Sequence, residues 1–447
     1  MFLPAEIIPV LWHFRPAFQE RTYAKVVELL IGTVLARGRR TVTSALRVLG
    51  KGQAHNWSKY HHVLNRAQWS GLTMSRLLLE LIVATFVSSG AIVTIAVDET
   101  LERRWGPQIR SCGHWRDSCA SSKRLSVSSR GLRWLVFAVV VQVPWTEYAV
   151  ALPFLSVLLT TPKVSAKLGK RHKTVAQVTG QVVIWLRRTL AGSPIHLVGD
   201  GAYAVIELGL RCQRCQVTLV APLRLDARLF EPPYRPSTKT RGRPPLVGAR
   251  LPNLAAVAVS PTTRWQRSRV AWYGATSAVM DWTTGTALWY STGTSPLPIR
   301  WILVRDPAGK KATRAFFSTD LQQAPVAMMQ AFVVRWSLEV TFEDSRAHLG
   351  IETQRQWSDL AIARTTPALL GLFSLVVLMA NALQPTLAMP AEQTAWYVKP
   401  YPTFHDLLRF VRQRIWRQRL FQTTGLPPHL PLISPELFDQ LLSAVCY

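Results

Sequence analysis

The chain is short of acid. Its 447 residues hold 25 Asp+Glu against 53 Lys+Arg, a formal net charge of +28. Cysteine is scarce as well. Five is an odd number, which excludes a fully paired disulfide scaffold and fits a reducing, cytoplasmic setting. Only 17% of residues are charged while 48% are hydrophobic, so a disordered basic tail is excluded and a sizeable core is available. Gly169-Lys170 lacks the rest of a phosphate-binding loop. The stretch Met1–Val10 lacks the basic and apolar regions of a secretory signal. Cys212-Gln-Arg-Cys215 is a lone CxxC, and Cys112, His114 and Cys119 have no second pair at finger spacing, so zinc is not the expected cofactor. Two uncharged stretches, 81–97 and 365–391, approach the ~20 apolar residues of a membrane span. The first is broken by Ser88-Ser89-Gly90. The second carries Gly371, Ser374 and Asn381 before Pro385. Both are read as core elements, with no membrane partner.

What the chain has in excess is arginine: 41 of the 53 basic residues, with 12 Lys. A folded protein this basic expects a polyanion, and arginine is the better fork for phosphate. Genome-wide compositional bias explains the arginine count equally well. The charge gathers in runs at Lys163–Lys173 (including Lys170, Arg171 and Lys173), at Arg235–Arg250 (including Arg241 and Arg243) and at Arg409–Arg419 (including Arg412).

Along the chain, residues 1–90 read as helical, with apolar spacing over Ala24–Ala36 and Leu72–Phe86. The polar and aromatic stretch Asn56–His62 between them suits either a helix-turn-helix on DNA or a packed scaffold. From 91 to 222, strands alternate with helices: Ile92–Val97, Leu132–Val143, a helix over Val175–Leu190, Pro194–Val198 and Val217–Pro222. That alternation predicts an α/β core. Residues 223–300 form a basic, proline-rich and then β-rich segment, with strands expected at Leu254–Val259, Arg267–Tyr273 and Thr286–Tyr290. Residues 301–385 resume the core with a long helix over Pro325–Leu349 and another over Pro367–Leu383. Residues 386–447 read as a basic helical region around His405–Phe421.

Three carboxylates carry the chemistry. Asp98 and Asp200 each follow an apolar strand, and Glu339 lies within the long helix. A lone Asp after a strand is most simply a turn or cap residue. Together, acids on core strands of so basic a chain suit hard divalent ions, which take oxygen ligands and commonly only one or two carboxylates each. Phe332, Arg335, Glu339, Phe342 and Arg346 follow spacings of 3, 4, 3 and 4 and share one helix face, with Met329, Val333, Trp336 and Val340 as the neighbouring stripe expected to dock on a sheet. A phosphodiester site uses both signs at once: Glu339 on a metal, Arg335 and Arg346 on phosphates. A salt-bridged structural face fits the same spacing. Glu343 is the reserve for the third acid. His196 reads as a core histidine.

The string Phe332-x2-Arg335-x3-Glu339-x6-Arg346 resembles the Tyr-x2-Arg-x3-Glu-x6-Lys signature of DDE transposases from bacterial insertion sequences. Val97-Asp98-Glu99-Thr100-Leu101 is similar to that family's first-Asp block and Gly199-Asp200-Gly201-Ala202-Tyr203 to its second. Arg241-Gly-Arg243-Pro244 and Ser318-Thr319-Asp320-Leu321 resemble stretches that lie between the second Asp and the Glu. Phe332 and Arg346 depart from the pattern. The resemblance implies an RNase H-like α/β core with a β-rich insertion, flanked by N- and C-terminal helical regions. It implies catalysis by Asp98, Asp200 and Glu339 as metal ligands, with two Mg²⁺ ions for which Mn²⁺ can substitute. It further implies cleavage at the ends of an element and strand transfer of the freed 3′-OH. Its partners would be terminal inverted repeats and target DNA, bound by a homodimer or higher multimer in the bacterial nucleoid. Some relatives stack a flipped base on an insertion-domain aromatic, a role open to Trp265, Trp272, Trp282 or Trp289 beside the more ordinary one of sheet packing. A metal-dependent nuclease or resolvase, a non-catalytic DNA-binding relative and a basic membrane protein are the competing readings.

Overall fold

The computed structural model describes the chain except residues 1–2, 123, 235–243, 273–274, 385–390, 392, 394, 423–433 and 447. Arg241 and Arg243 therefore lie outside the described residues. The strands in chain order are β1 (Val93–Arg103), β2 (Gly113–Arg116), β3 (Ser128–Gln142), β4 (Ala149–Leu159), β5 (Ile195–Val198), β6 (Val217–Leu223), β7 (Leu229–Phe230), β8 (Gln266–Trp272), β9 (Ala275–Trp289), β10 (Leu297–Arg305) and β11 (Arg314–Ser318). The fold is mixed α/β and divides into two compact units. One comprises residues 1–86, 99–171 and 339–447; the other comprises 87–98 and 172–338.

In the second unit, β1, β5 and β6 pair in parallel. Parallel neighbours need long crossovers, and the helix Ile206–Arg214 supplies the one between β5 and β6. The helix Val175–Thr189 opens with a capping box made by Thr174 and Gln177. Beyond β6 the strands turn antiparallel through β11, β10 and β9, with β7 and β8 both pairing β9. The expected β-rich segment is therefore present, but its hairpin hydrogen-bonds onto β10 and extends the sheet. Leu254–Val259, expected as a strand, is a helix. Asn253 caps it by accepting from the Ala256 amide at 2.8 Å. A six-residue apolar run cannot distinguish helix from strand by periodicity, and here the cap decides. The hairpin brings Val270, Trp272, Met280 and Trp282 into one core with Ile302, Phe316, Met328, Met329 and Phe332.

In the first unit, β3 and β4 form a long antiparallel hairpin, with β2 against β3. β4 carries Pro153 in its middle, where a ladder amide is lost. The register resolves the conflict. Pairing runs Phe137↔Leu155 and then Ala138↔Pro153, so Phe154 is the extra residue of a bulge and the proline sits beside it. The apolar helix Asp359–Leu383 begins eight residues before its expected start, with Pro367 inside it. By length and composition it could cross a membrane, but most of its side chains are buried within the unit. Ser374 Oγ donates to the Pro153 carbonyl at 2.7 Å, and Phe373 stacks on Phe404 with ring centroids 4.0 Å apart. Arg364, buried in this helix, donates to the carbonyls of Val63, Leu64 and Trp69. The N-terminal helices Val42–Val48 and Ser58–Asn65 are separated by nine residues, and Ser58–Asn65 and Gly71–Phe86 by five. Tyr60 packs inward on Val42 and Leu46, while Trp57 and Lys59 stay exposed.

Candidate active site

Asp98 does not end its strand, as the sequence suggested. β1 runs on to Arg103, and what stops near Asp98 is its pairing with β5. That register runs from Val93↔Ile195 to Ala96↔Val198. Asp98 and Asp200 each stand two residues past the end of that ladder, Asp98 still on β1 and Asp200 in the turn after β5. Adjacent strands lie about 4.8 Å apart, so the two acids follow the same end of one strand pair.

Asp200 is fixed by the turn that follows it. Its Oδ1 accepts from the Ala202 amide at 2.8 Å, capping a short 3₁₀ turn over Gly201–Tyr203. The cap role that spacing favoured for a lone Asp is thus real, and it orients the carboxylate. The Gly199 amide donates to the Val220 carbonyl of β6 at 3.2 Å, which ties the start of the turn to the sheet.

The expected helix Pro325–Leu349 is two helices, Pro325–Val334 and Trp336–Leu349, that break at Arg335. The backbone tightens there. The Arg335 amide donates to Phe332 O, and the Leu338 amide to Arg335 O, each three residues back. Ser337 Oγ donates to the Val334 carbonyl at 2.7 Å. From this break the Arg335 side chain turns inward, 7% exposed, and its Nη1 donates to Asp98 Oδ2. Arg335 is therefore an ion-pair partner of the first acid in this structure, rather than a guanidinium open to phosphate. The Phe332 departure has a packing reason. Its ring is buried against Phe316, 4.6 Å between centroids, with the Arg335 guanidinium 5.5 Å from its own centroid.

Glu339 is half-buried. Of the stripe expected to dock the helix, Met329 and Val333 pack in the core, but Trp336 and Val340 are 49% and 45% exposed, while Leu338, Thr341, Phe342, Ser345 and Leu349 face inward. The reserve acid Glu343 is exposed. Arg346 spends its guanidinium within the first unit, donating to Thr100 Oγ1 and the Leu101 carbonyl. It braces β1 just beyond Asp98. Glu99, next to Asp98, pairs with Arg133.

Lys170, Arg171 and Lys173 are exposed, and Lys173 also reaches Gln181. Arg412 is a correction. It is 5% exposed and donates to the carbonyls of Val34, Ala36 and Cys446 at 2.7, 3.2 and 3.1 Å. Those carbonyls, not phosphates, use its fork. The tryptophans are packed as well. Trp272 and Trp282 are buried, Trp282 Nε1 donates to Ser268 Oγ at 3.0 Å, Trp289 lies edge-on to Phe317, and Arg305 covers Trp265 with its guanidinium 4.0 Å from the ring centroid. Buried Trp272 and Trp282 present no face to a base.

Sequence reading missed Glu102. This buried carboxylate accepts from Arg104 Nη1 at 2.7 Å, Trp134 Nε1 at 2.8 Å and Thr366 Oγ1 at 2.7 Å, all within the first unit. It lies in a stretch whose apolar period had already broken, and no spacing signal marks it. It also missed Asp281, buried on β9, which Arg267 holds through both oxygens. That hydrogen bonding, more than burial opposes it, keeps its carboxyl below the usual range. Both are structural sites, with their lone pairs already used.

Among the described residues, no three His, Cys, Asp or Glu side chains stand close enough together to hold a metal ion. Asp98 and Asp200, which follow the same end of the β1–β5 pair, nevertheless suit a hard divalent cation, which takes oxygen ligands and often just two protein carboxylates. The guanidinium on Asp98 already shows that this position attracts positive charge.

The family model for DDE superfamily endonucleases matches residues 13–279, more than half of the chain, a span that holds Asp98 and Asp200 and ends before Glu339. No curated protein matches the sequence. Among solved structures, the chain is similar to a piggyBac transposase synaptic complex with hairpin DNA, at 12% identity, 95% coverage of this chain, 80% of that chain and a TM-score of 0.41. The chain belongs to the DDE superfamily endonucleases.

Proposed function

We propose that this endonuclease-family protein is the DNA transposase of a bacterial insertion sequence, cutting at the element's ends and transferring the 3′-OH to target DNA. The observation that carries the reading is that Asp98 and Asp200 both follow the same end of the parallel β1–β5 pair, in a family-matched segment. Asp98, Asp200 and Glu339 would hold Mg²⁺, two ions in the full site, with Mn²⁺ able to substitute. Such ions, when bound, activate an attacking oxygen and stabilise the leaving one at a phosphodiester. The chain's own residues do the rest. The Gly201–Tyr203 turn orients Asp200, Arg346 braces β1 beyond Asp98, and the exposed run at 163–173 meets duplex phosphates. Water attacks the element end first; the freed 3′-OH then attacks the target. The working form is a homodimer or higher multimer on terminal inverted repeats, in the bacterial cytoplasm at the nucleoid.

The test uses the purified chain with Mg²⁺ and a duplex carrying the sequences that flank its gene. Cleavage followed by joining of a 3′-OH end to a second duplex is expected. Asp98→Asn, Asp200→Asn and Glu339→Gln should each abolish both steps while DNA binding persists. Cleavage without joining makes the protein a nuclease or resolvase; binding without cleavage makes it a non-catalytic relative. Full activity in any of the three variants removes that residue from the site.

A further inference from the structure

The ion pair between Arg335 and Asp98 uses the guanidinium on a carboxylate and not on a phosphate. Its side chains are 8% and 18% exposed. Taking both charges largely out of water is costly, and their pairing offsets part of that cost. The guanidinium reaches Asp98 from the break between two helices, where the chain has left regular α geometry and Ser337 Oγ has taken up the Val334 carbonyl. One flank of the guanidinium is set by the Phe332 ring, which is itself locked against Phe316. The break thus brings the cation to the Asp98 carboxylate. That carboxylate follows the same end of the β1–β5 pair as Asp200.

We propose that Arg335 is the resident counter-ion of Asp98 in the DNA-free protein and competes with a divalent cation for that carboxylate. This rests on the reading of Asp98 as a metal ligand. A metal ion on Asp98 would place two positive groups at one carboxylate, so the guanidinium must let go for the ion to bind tightly. A DNA phosphate is the natural partner for the released guanidinium, because phosphate takes the same paired N–H donors as a carboxylate. Metal and DNA then favour each other's binding, and linkage requires that coupling to be equal in both directions. Without DNA, the acid is held neutralised and the site binds metal weakly, which restrains cutting away from an engaged phosphodiester.

The test is Mn²⁺ binding to the full chain without DNA, followed by electron paramagnetic resonance of free ion or by calorimetry. Arg335→Gln is expected to tighten Mn²⁺ binding on the order of tenfold, within the ordinary range of coupling between sites. Arg335→Lys keeps the charge but loses the fork and should fall between Gln and wild type. If Arg335→Gln does not fold, as judged by circular dichroism, Arg335→Lys against wild type decides. Adding a mixed-sequence duplex should tighten Mn²⁺ binding to wild type and do so far less for the variant. Unchanged or weaker Mn²⁺ binding in a folded Arg335 variant overturns the proposal and makes the pair purely structural. Asp98→Asn separates the two readings: it should lose the tight Mn²⁺ site, and if it binds Mn²⁺ as wild type does, the assignment of Asp98 as a ligand fails first.

Discussion

The ring of Tyr203 lies against the α-carbon of Gly199, so that a β-carbon at 199 would stand 2.6 Å from the ring. Real β-carbons do not approach that closely, and Tyr203 is 1% exposed with little room to retreat. Asp200 is the first of the three residues between them. Gly199→Ala should therefore push the turn off the sheet and carry Asp200 with it. An overpacked core position costs about 1–3 kcal/mol, which should lower the melting temperature measurably. Because the displaced residue is a proposed ligand, Mg²⁺-dependent cleavage should fall much further than stability does. A variant that melts lower yet cuts at the wild-type rate would detach this turn from the site.

The strands that lead to Asp98 and Asp200 were legible in the sequence because an apolar β run is a local signal. Their pairing was not, since parallel pairing of residues about a hundred positions apart leaves no mark within either strand. The Glu339 helix misled for a different reason. It is buried on more than one side, so a spacing rule that assumes one apolar stripe chose Trp336 and Val340, while Leu338, Phe342 and Leu349 do the docking. At the break, Arg335 bonds a carboxylate more than two hundred residues earlier in the chain, a contact beyond the reach of helix propensity. Basic residues posed the same problem. Lys170 and Arg412 look alike in sequence, and only the tertiary carbonyls around Arg412 separate them.

Asp344 makes stability depend on pH. Burial first, and the charge of Glu343 second, push its carboxyl up to about 6 from the ordinary 3.8. Between those values the native state binds a proton that the unfolded chain has released, so stability falls as pH rises through that window. Its histidine neighbour one turn on, His348, is held below the usual range by burial and by His405, Arg412 and Arg40. Asp344→Asn keeps the shape and removes the titration. The variant should equal wild type near pH 4 and exceed it at pH 8, by about 2 kcal/mol once partial exposure is allowed for. Melting curves across pH check this; parallel curves for the two proteins would contradict it.

The exposed run at 163–173 should report itself through salt. Each phosphate contact releases counterions and contributes about 0.9 to the slope of log K against log salt. Replacing Lys170, Arg171 and Lys173 together by Gln should flatten that slope by about 2 to 3 and weaken binding to unrelated duplexes equally. Because these side chains are exposed, melting should not change. An unaltered slope in a folded variant would move the DNA path elsewhere on the surface.

Arg412 should behave in the opposite way. Burial, with Arg37 adding to it, lowers its guanidinium to about 10, still protonated at neutral pH. Three donors meet three carbonyls, and one of those carbonyls belongs to Cys446 near the end of the chain. Arg412→Ala would leave those oxygens buried without the cation that satisfies them, at a cost on the order of 3–5 kcal/mol. Arg412→Lys should recover little, because a single ammonium cannot span a fork-shaped set of acceptors. In the fraction that remains folded, DNA affinity and its salt slope should match wild type, since the guanidinium never faced solvent. Thermal melting and a salt titration of duplex binding on the same preparations test both halves. Weaker DNA binding with an unchanged melting temperature would show that Arg412 reaches phosphate after all, and that the carbonyl cage opens when DNA is bound.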